Sequence, residues 1–238
     1  MSDIDIKRVG HALITDIRFQ WKQGFYTIYF IVSFIYLLIL SQLPHFILDY
    51  ALPIIVFSDP SILGLFFIGG MVLLEKEQGV LQMLVVTPLT IKEYVLSKVI
   101  ALTFIAILAG LLMTGISAYQ PVNYFLLLIG IILTSIFFTL IGFMISTRAK
   151  NLNTFFLYMM PWTALFMVPC VFYVMYPHLK VLLLVPSVSG IHLVFGAMGG
   201  QSIIEALLLA VYMMGINYIL FIKACSVFQK DMVYGGSV

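Results

Sequence analysis

The chain has 238 residues, 63% of them hydrophobic and only 9% charged, with a mean hydropathy of +1.13. Soluble globular domains carry about a quarter charged residues, so a fully water-exposed exterior is excluded and the chain reads as an all-α integral membrane protein. Its net charge of +2 does not mark a nucleic-acid binder, because Lys and Arg fall in short segments between apolar runs, where they set orientation.

Residues 1–24 carry Asp3, Asp5, Lys7, Arg8, Asp16, Arg18 and Lys22 before any long apolar run, so no secretory signal is expected. Within them Val9, Leu13, Ile14, Ile17 and Trp21 share one helical face, the pattern of an amphipathic helix lying in the membrane interface. Trp21, Phe25 and Tyr26 then mark an aromatic belt. A crossing helix needs about 20 apolar residues, and six stretches qualify: 25–43, 51–74, 96–118, 122–146, 154–176 and 203–222. A further apolar stretch, 179–200, is interrupted by Pro186, Ser187, Ser189, Gly190, His192, Gly196, Gly199 and Gly200, and is read as an outer re-entrant segment between spans five and six.

Orientation follows from the basic residues. With six spans and both termini in the cytoplasm, Lys7, Arg8, Arg18, Lys22, Lys76, Lys92, Lys98, Arg148, Lys150, Lys223 and Lys230 are cytoplasmic and only Lys180 is outside. That places the protein, as multi-pass, in the plasma or inner membrane. Cys170 and Cys225 fall toward opposite faces, which argues against a disulfide. The small residues Gly64, Gly69 and Gly70 make span two a close-packing face between subunits, or else relieve crowding within one.

Asp59 is the one carboxylate within an apolar stretch. Ser58-Asp59-Pro60 reads as a helix start near the outer surface with Asp59 as its cap, the alternative being a translocation role at the outer mouth. Ser202-x-x-Glu205 reads in the same way, as a capping box opening the last span.

Catalytic signatures are scarce. No Gly-x-x-x-x-Gly-Lys-Ser/Thr run occurs, so no phosphate-cradling loop is available for ATP and the chain is not expected to be an enzyme. Gly115-x-Ser117 in span three and His192 in the broken segment would serve an intramembrane serine protease only if the fold brought them together. Otherwise small residues in spans are packing positions. His11, His45, His178 and His192 show no metal-site spacing, so no metal and no cofactor is expected in this chain.

The informative segment runs from 75 to 98. Glu75, Lys76 and Glu77 close span two, and Gly79 is placed to end its helix in the left-handed conformation. Val80 to Val86 is short and uncharged, with Leu81, Leu84 and Val85 on one helical face, and Thr87-Pro88 stops it. Thr90-x-x-Glu93 is a capping box flanked by Leu89 and Tyr94 as a hydrophobic staple, so a new helix starts there and runs through Lys98 into span three. A short apolar element between charged helix ends is a docking surface for a protein partner.

This loop resembles the signature of type-2 ABC transporter permeases, approximately Glu-(Lys/Arg)-x-x-Gly-x-Leu-x-x-Leu-x-x-Thr-Pro-Leu-x-x-x-Glu-(Tyr/Phe)-x-x-x-Lys, filled here by Glu75, Lys76, Gly79, Leu84, Thr87, Pro88, Leu89, Glu93, Tyr94 and Lys98. Asp16-x-Arg18-x-Gln20, Gly24-Phe25-Tyr26, Asp59-Pro60 and Gly64 resemble most closely the subgroup of fluoroquinolone export permeases. The resemblance implies one permease domain over residues 1–238, paired as a homodimer or with a related permease. It also implies a separate ATP-binding subunit that holds ATP and Mg and moves the loop. The implied activity is export, and spans with few fixed charges suit a hydrophobic or amphipathic cargo such as a drug, lipid or peptide. The competing reading is an ATP-independent scaffold or assembly factor in the lipid, its charged loop only a connector.

Overall fold

The computed structural model describes residues 5–80, 87–200 and 202–233, and among them regular structure is entirely helical. Helix α1 (Ile6–Lys22) starts at Asp5, whose side chain accepts the Lys7 N–H. Gly24, at φ 78°, turns the chain into α2 (Phe25–Ser41), which is bent 66° away from α1. The residues that α1 buries are polar, Asp16 and Gln20, while Ile14 and Trp21 stay exposed. An amphipathic helix with its polar edge on the protein and its apolar edge outward is suited to a membrane surface.

Span two is longer than the apolar run 51–74. Helix α3 (His45–Ser58), a π turn (Asp59–Leu63) and α4 (Gly64–Glu77) form one helix of 33 residues. The expectation that Asp59 starts and caps a helix is therefore wrong. Its own N–H already bonds the carbonyl of Ile55, and it lies near the middle of the helix, away from either end. Proline has no N–H to give and clashes with the preceding turn, and a wider π turn absorbs that conflict without ending the helix.

Helix α5 (Ile91–Ser117) and α6 (Tyr124–Arg148) follow, then α7 (Leu152–Met175), a short 3₁₀ turn (Lys180–Leu184), α8 (Pro186–Gly199) and α9 (Ile203–Phe228), which ends in a π turn (Gln229–Val233). Asn123 and Asn151 cap α6 and α7 by accepting the N–H groups of Leu126 and Thr154. Among the described residues, five helices are long and apolar enough to cross a membrane, and a sixth is reached when the bent α1–α2 pair counts as one. The 14 residues of α8 extend about 21 Å, too short for a core about 30 Å thick. Nine of them are buried against α3, α6, α7 and α9.

Helix α6 is the centre of the bundle, packed against α4, α5, α8 and α9, whereas α7 and α9 leave most of their surface uncovered. Cross-helix bonds fix the neighbours: Thr103 Oγ1 donates to Ser135 Oγ at 3.1 Å, and Asn217 Nδ2 donates to the carbonyl of Leu133 at 2.9 Å. Helices α4 and α6 touch at Gly142, where an added Cβ would sit 2.5 Å from Ile68 Cγ2 and 2.9 Å from the Leu65 carbonyl oxygen. Backbone cannot step aside as a side-chain tip can, so Gly142→Ala is expected to cost about 1–3 kcal/mol. Thermal unfolding of the purified variant in detergent measures this, and an unchanged midpoint would mean the two helices slide apart freely.

The glycines of span two serve the same end within this chain. Gly69 lies under the ring of Phe155, Gly70 beside Phe25 and Gly64 beside Thr139. These contacts lie inside one subunit, as the crowding-relief reading of these glycines expects.

Candidate functional site

Five residues from three elements meet in a closed polar site where α1 crosses the end of α4 and the start of α5. Lys98 is 0% exposed, and its Nζ donates to Asp16 Oδ1 at 2.9 Å and to Glu75 Oε1 at 2.5 Å. Ser97 Oγ donates to the other Asp16 oxygen at 2.6 Å, and the Tyr94 hydroxyl to the other Glu75 oxygen at 2.5 Å. The ammonium also lies 4.6 Å from the Tyr94 ring centre. Each carboxylate thus receives one ammonium proton and one hydroxyl proton, which is how buried ions are kept from bare desolvation. Two carboxylates against one ammonium leave the site short of positive charge, so it holds together only while Lys98 is there.

Helical spacing builds this node. Tyr94 and Lys98 are four apart on α5 and share a face, as are Asp16 and Gln20 on α1. Gln20 Nε2 reaches Met71 Sδ at 3.3 Å, so α1 also touches α4 directly.

A second contact ties the beginning of α1 to the loop. The capping box at the start of α5 is formed in full, with Thr90 accepting from the Glu93 N–H and Glu93 Oε2 accepting from the Thr90 N–H at 2.8 Å. Glu93 Oε1 accepts the Asp5 N–H at 2.8 Å and lies 3.0 Å from Arg8 Nη2, while Arg8 Nη1 donates to the carbonyl of Pro88 at 3.1 Å. Helix α1 is therefore a strap across the start of α5, fastened at Glu93 and at Lys98. Glu93→Ala removes the acceptor for the Thr90 and Asp5 N–H groups and the Arg8 partner, and is expected to cost about 1–3 kcal/mol. Limited proteolysis checks it: cleavage within residues 5–22 should accelerate while the spans stay intact.

The residues expected to face an ATPase divide into two groups. Glu75, Lys76, Glu93 and Lys98 turn inward: the first and last form the buried node, and Lys76 Nζ donates to the carbonyls of Thr147 and Ala149 at 3.2 and 3.0 Å, closing the end of α6. Glu75 is accordingly not available to pair with a partner's basic residues. Glu77, Thr87 and Pro88 are exposed, as is Val80 at 38%, and Gly79 ends α4 at φ 70°. Leu81, Leu84 and Val85 lie outside the described residues.

At the far end, Ser202 precedes α9 but its side chain makes no cap bond, so the expected capping box is not formed. Glu205 instead lies 3.6 Å from His192 Nε2 and 3.9 Å from Lys180 Nζ, and the Tyr173 hydroxyl bonds His192 Nδ1. Burial holds the His192 imidazole below its ordinary value, against the opposing pull of Glu205. Both ring nitrogens face these groups instead of Ser117.

Asp59 is 0% exposed, and among the described residues neither carboxylate oxygen has a hydrogen-bond partner. An orphaned buried polar group costs about 1–3 kcal/mol, so Asp59→Leu is expected to raise stability by that amount. A lowered unfolding midpoint would show that the carboxylate has a partner.

A model of the Fluoroquinolones export permease protein family matches residues 7–235. The chain belongs to that family. Its relatives include two proteins of Mycobacterium tuberculosis, from strains CDC 1551 / Oshkosh and ATCC 25618 / H37Rv, each called a fluoroquinolones export permease protein and each 29% identical over 150 residues. The matched region spans 63% of this chain and 63% of each relative. The family match runs through the strap, the node and every helix, so the site lies wholly inside the family's domain.

Proposed function

We propose that this chain is the membrane permease of an ATP-driven exporter, moved by a separate ATP-binding subunit that docks on the loop between α4 and α5. The observation that carries the reading is the joint at that loop. A docking segment transmits force only if its flanks are stiff, and here the flanking α4 and α5 are locked to each other and to α1 by the buried Asp16–Lys98–Glu75 node. Absence of a phosphate-binding loop leaves ATP and Mg to the partner. Basic residues concentrated at this end support the reading that it faces the cytoplasm, with both termini, from the plasma or inner membrane. In this reading α8 is the outer re-entrant segment, and two permeases, identical or related, enclose the pathway.

The cargo is hydrophobic or amphipathic and moves outward. The names of its relatives make fluoroquinolones the first compounds to test. The experiment is purification with the cognate ATPase, reconstitution in liposomes, and ATP hydrolysis measured as a fluoroquinolone series is added. Hydrolysis that rises with cargo and falls when the permease is omitted is expected. Failure of the two proteins to associate would refute the reading.

A further inference from the structure

The node does not account for a deep groove between α6, α7 and α9, about 790 Å³ in volume. Its walls are apolar and aromatic, with Phe137 and Phe166 at the inner end and Tyr158 and Trp162 along α7. It opens to the surroundings, since Tyr158 is 50% and Trp162 45% exposed. At one end, and only there, its lining is cationic: Arg148 closes α6 and Lys223 faces it from α9. That is the end where Lys76 meets the α6 terminus, hence the end of the loop. Arg148 pairs with Asp231 at 3.1 Å, while Lys223 has no partner among the described residues, so the mouth keeps an excess positive charge.

Length decides the occupant. From Arg148 to Phe137 the groove follows 11 residues of α6, about 16 Å, which is half of a hydrocarbon core about 30 Å thick. An apolar slot one leaflet deep, open sideways, with cations at the membrane surface, has the shape and charge of a site for a single lipid. We infer that this groove binds an anionic phospholipid of the leaflet on the loop side, its phosphate held by Lys223 and Arg148 and one acyl chain lying along Trp162 and Phe166. Basic pockets between spanning helices recognise lipid headgroups by this combination.

Trp21 and Trp162 are the two tryptophans of the chain, so in Trp21→Phe the groove carries the sole tryptophan, whose emission is excited apart from that of the tyrosines. The variant is reconstituted in vesicles containing phosphatidylglycerol or phosphatidylcholine with brominated acyl chains, which quench tryptophan on contact. Stronger quenching by the anionic lipid is expected, with an apparent preference of about fivefold per cation. Adding Lys223→Gln should lower the preference, and adding Arg148→Gln as well should abolish it. Both side chains are exposed, so folding is preserved, and circular dichroism verifies it. Equal quenching by the two lipids, an unchanged preference in the double variant, or a Trp162 shielded from both lipids by a second copy of the chain would each overturn the assignment.

Discussion

Lys98→Met is expected to lower the stability of the permease by about 3–5 kcal/mol, the usual consequence of removing one partner from a buried ion pair. Methionine fills similar space, so the loss is electrostatic. Asp16 and Glu75 would remain buried at 7% and 5% exposure, each keeping one hydroxyl donor and losing its ammonium. Neutralising them should reverse the effect. The triple variant Lys98→Met, Asp16→Asn, Glu75→Gln is expected to recover most of the lost stability, because well-packed neutral groups often replace buried ion pairs without penalty. Thermal unfolding in detergent reads both variants. If Lys98→Met alone unfolds at the wild-type midpoint, the three side chains do not form a closed node and α1 is an independent anchor.

The same triple variant separates stability from coupling. Its helices should remain folded while the charged link between α1 and the span ends is gone, so ATP hydrolysis and transport can be compared in a protein of near-normal stability. A drop in transport per ATP hydrolysed would assign the node to force transmission, whereas unchanged coupling would confine it to folding.

Much of this was legible in the sequence, for identifiable reasons. Long apolar runs specify membrane helices because hydrocarbon tolerates little else, and the Thr90–Glu93 capping box announced the start of α5 because its residues are local. Gly79 and the amphipathic α1 were likewise readable from short-range pattern. What the sequence hid were the contacts between distant segments. Asp16 and Lys98 are 82 residues apart, and nothing in either neighbourhood reveals the other. The available signal was weaker: Tyr94, Ser97 and Lys98 put three polar groups at the start of an apolar helix, and Asp16 with Gln20 put two on one edge of α1. Asp59 was misplaced because Asp-Pro most often begins a helix, and only tertiary packing around Pro60 could show that a π turn carries the helix through it. Ser202-x-x-Glu205 had the letters of a capping box, but His192 and Lys180 drew the glutamate away.

Leu84→Asp addresses the account at its centre. The segment 80–86 contains one polar residue, Gln82, and in the sequence joins the exposed end of α4 to Pro88 and Glu93, which Arg8 of the strap holds. If an ATPase covers it, a carboxylate at Leu84 enters a water-free contact without a partner, which costs about 3–5 kcal/mol and weakens association by a factor of about a hundred to several thousand. The bundle itself should be untouched, since the node and capping box lie outside the segment. The decisive measurement is therefore co-purification of the cognate ATPase with wild-type and Leu84→Asp permease at matched expression, followed by ATP-driven transport in liposomes. The expected result is a permease with the wild-type unfolding midpoint that no longer retains the ATPase and no longer transports. Normal retention and normal transport by Leu84→Asp would make the loop a mere connector and contradict the account.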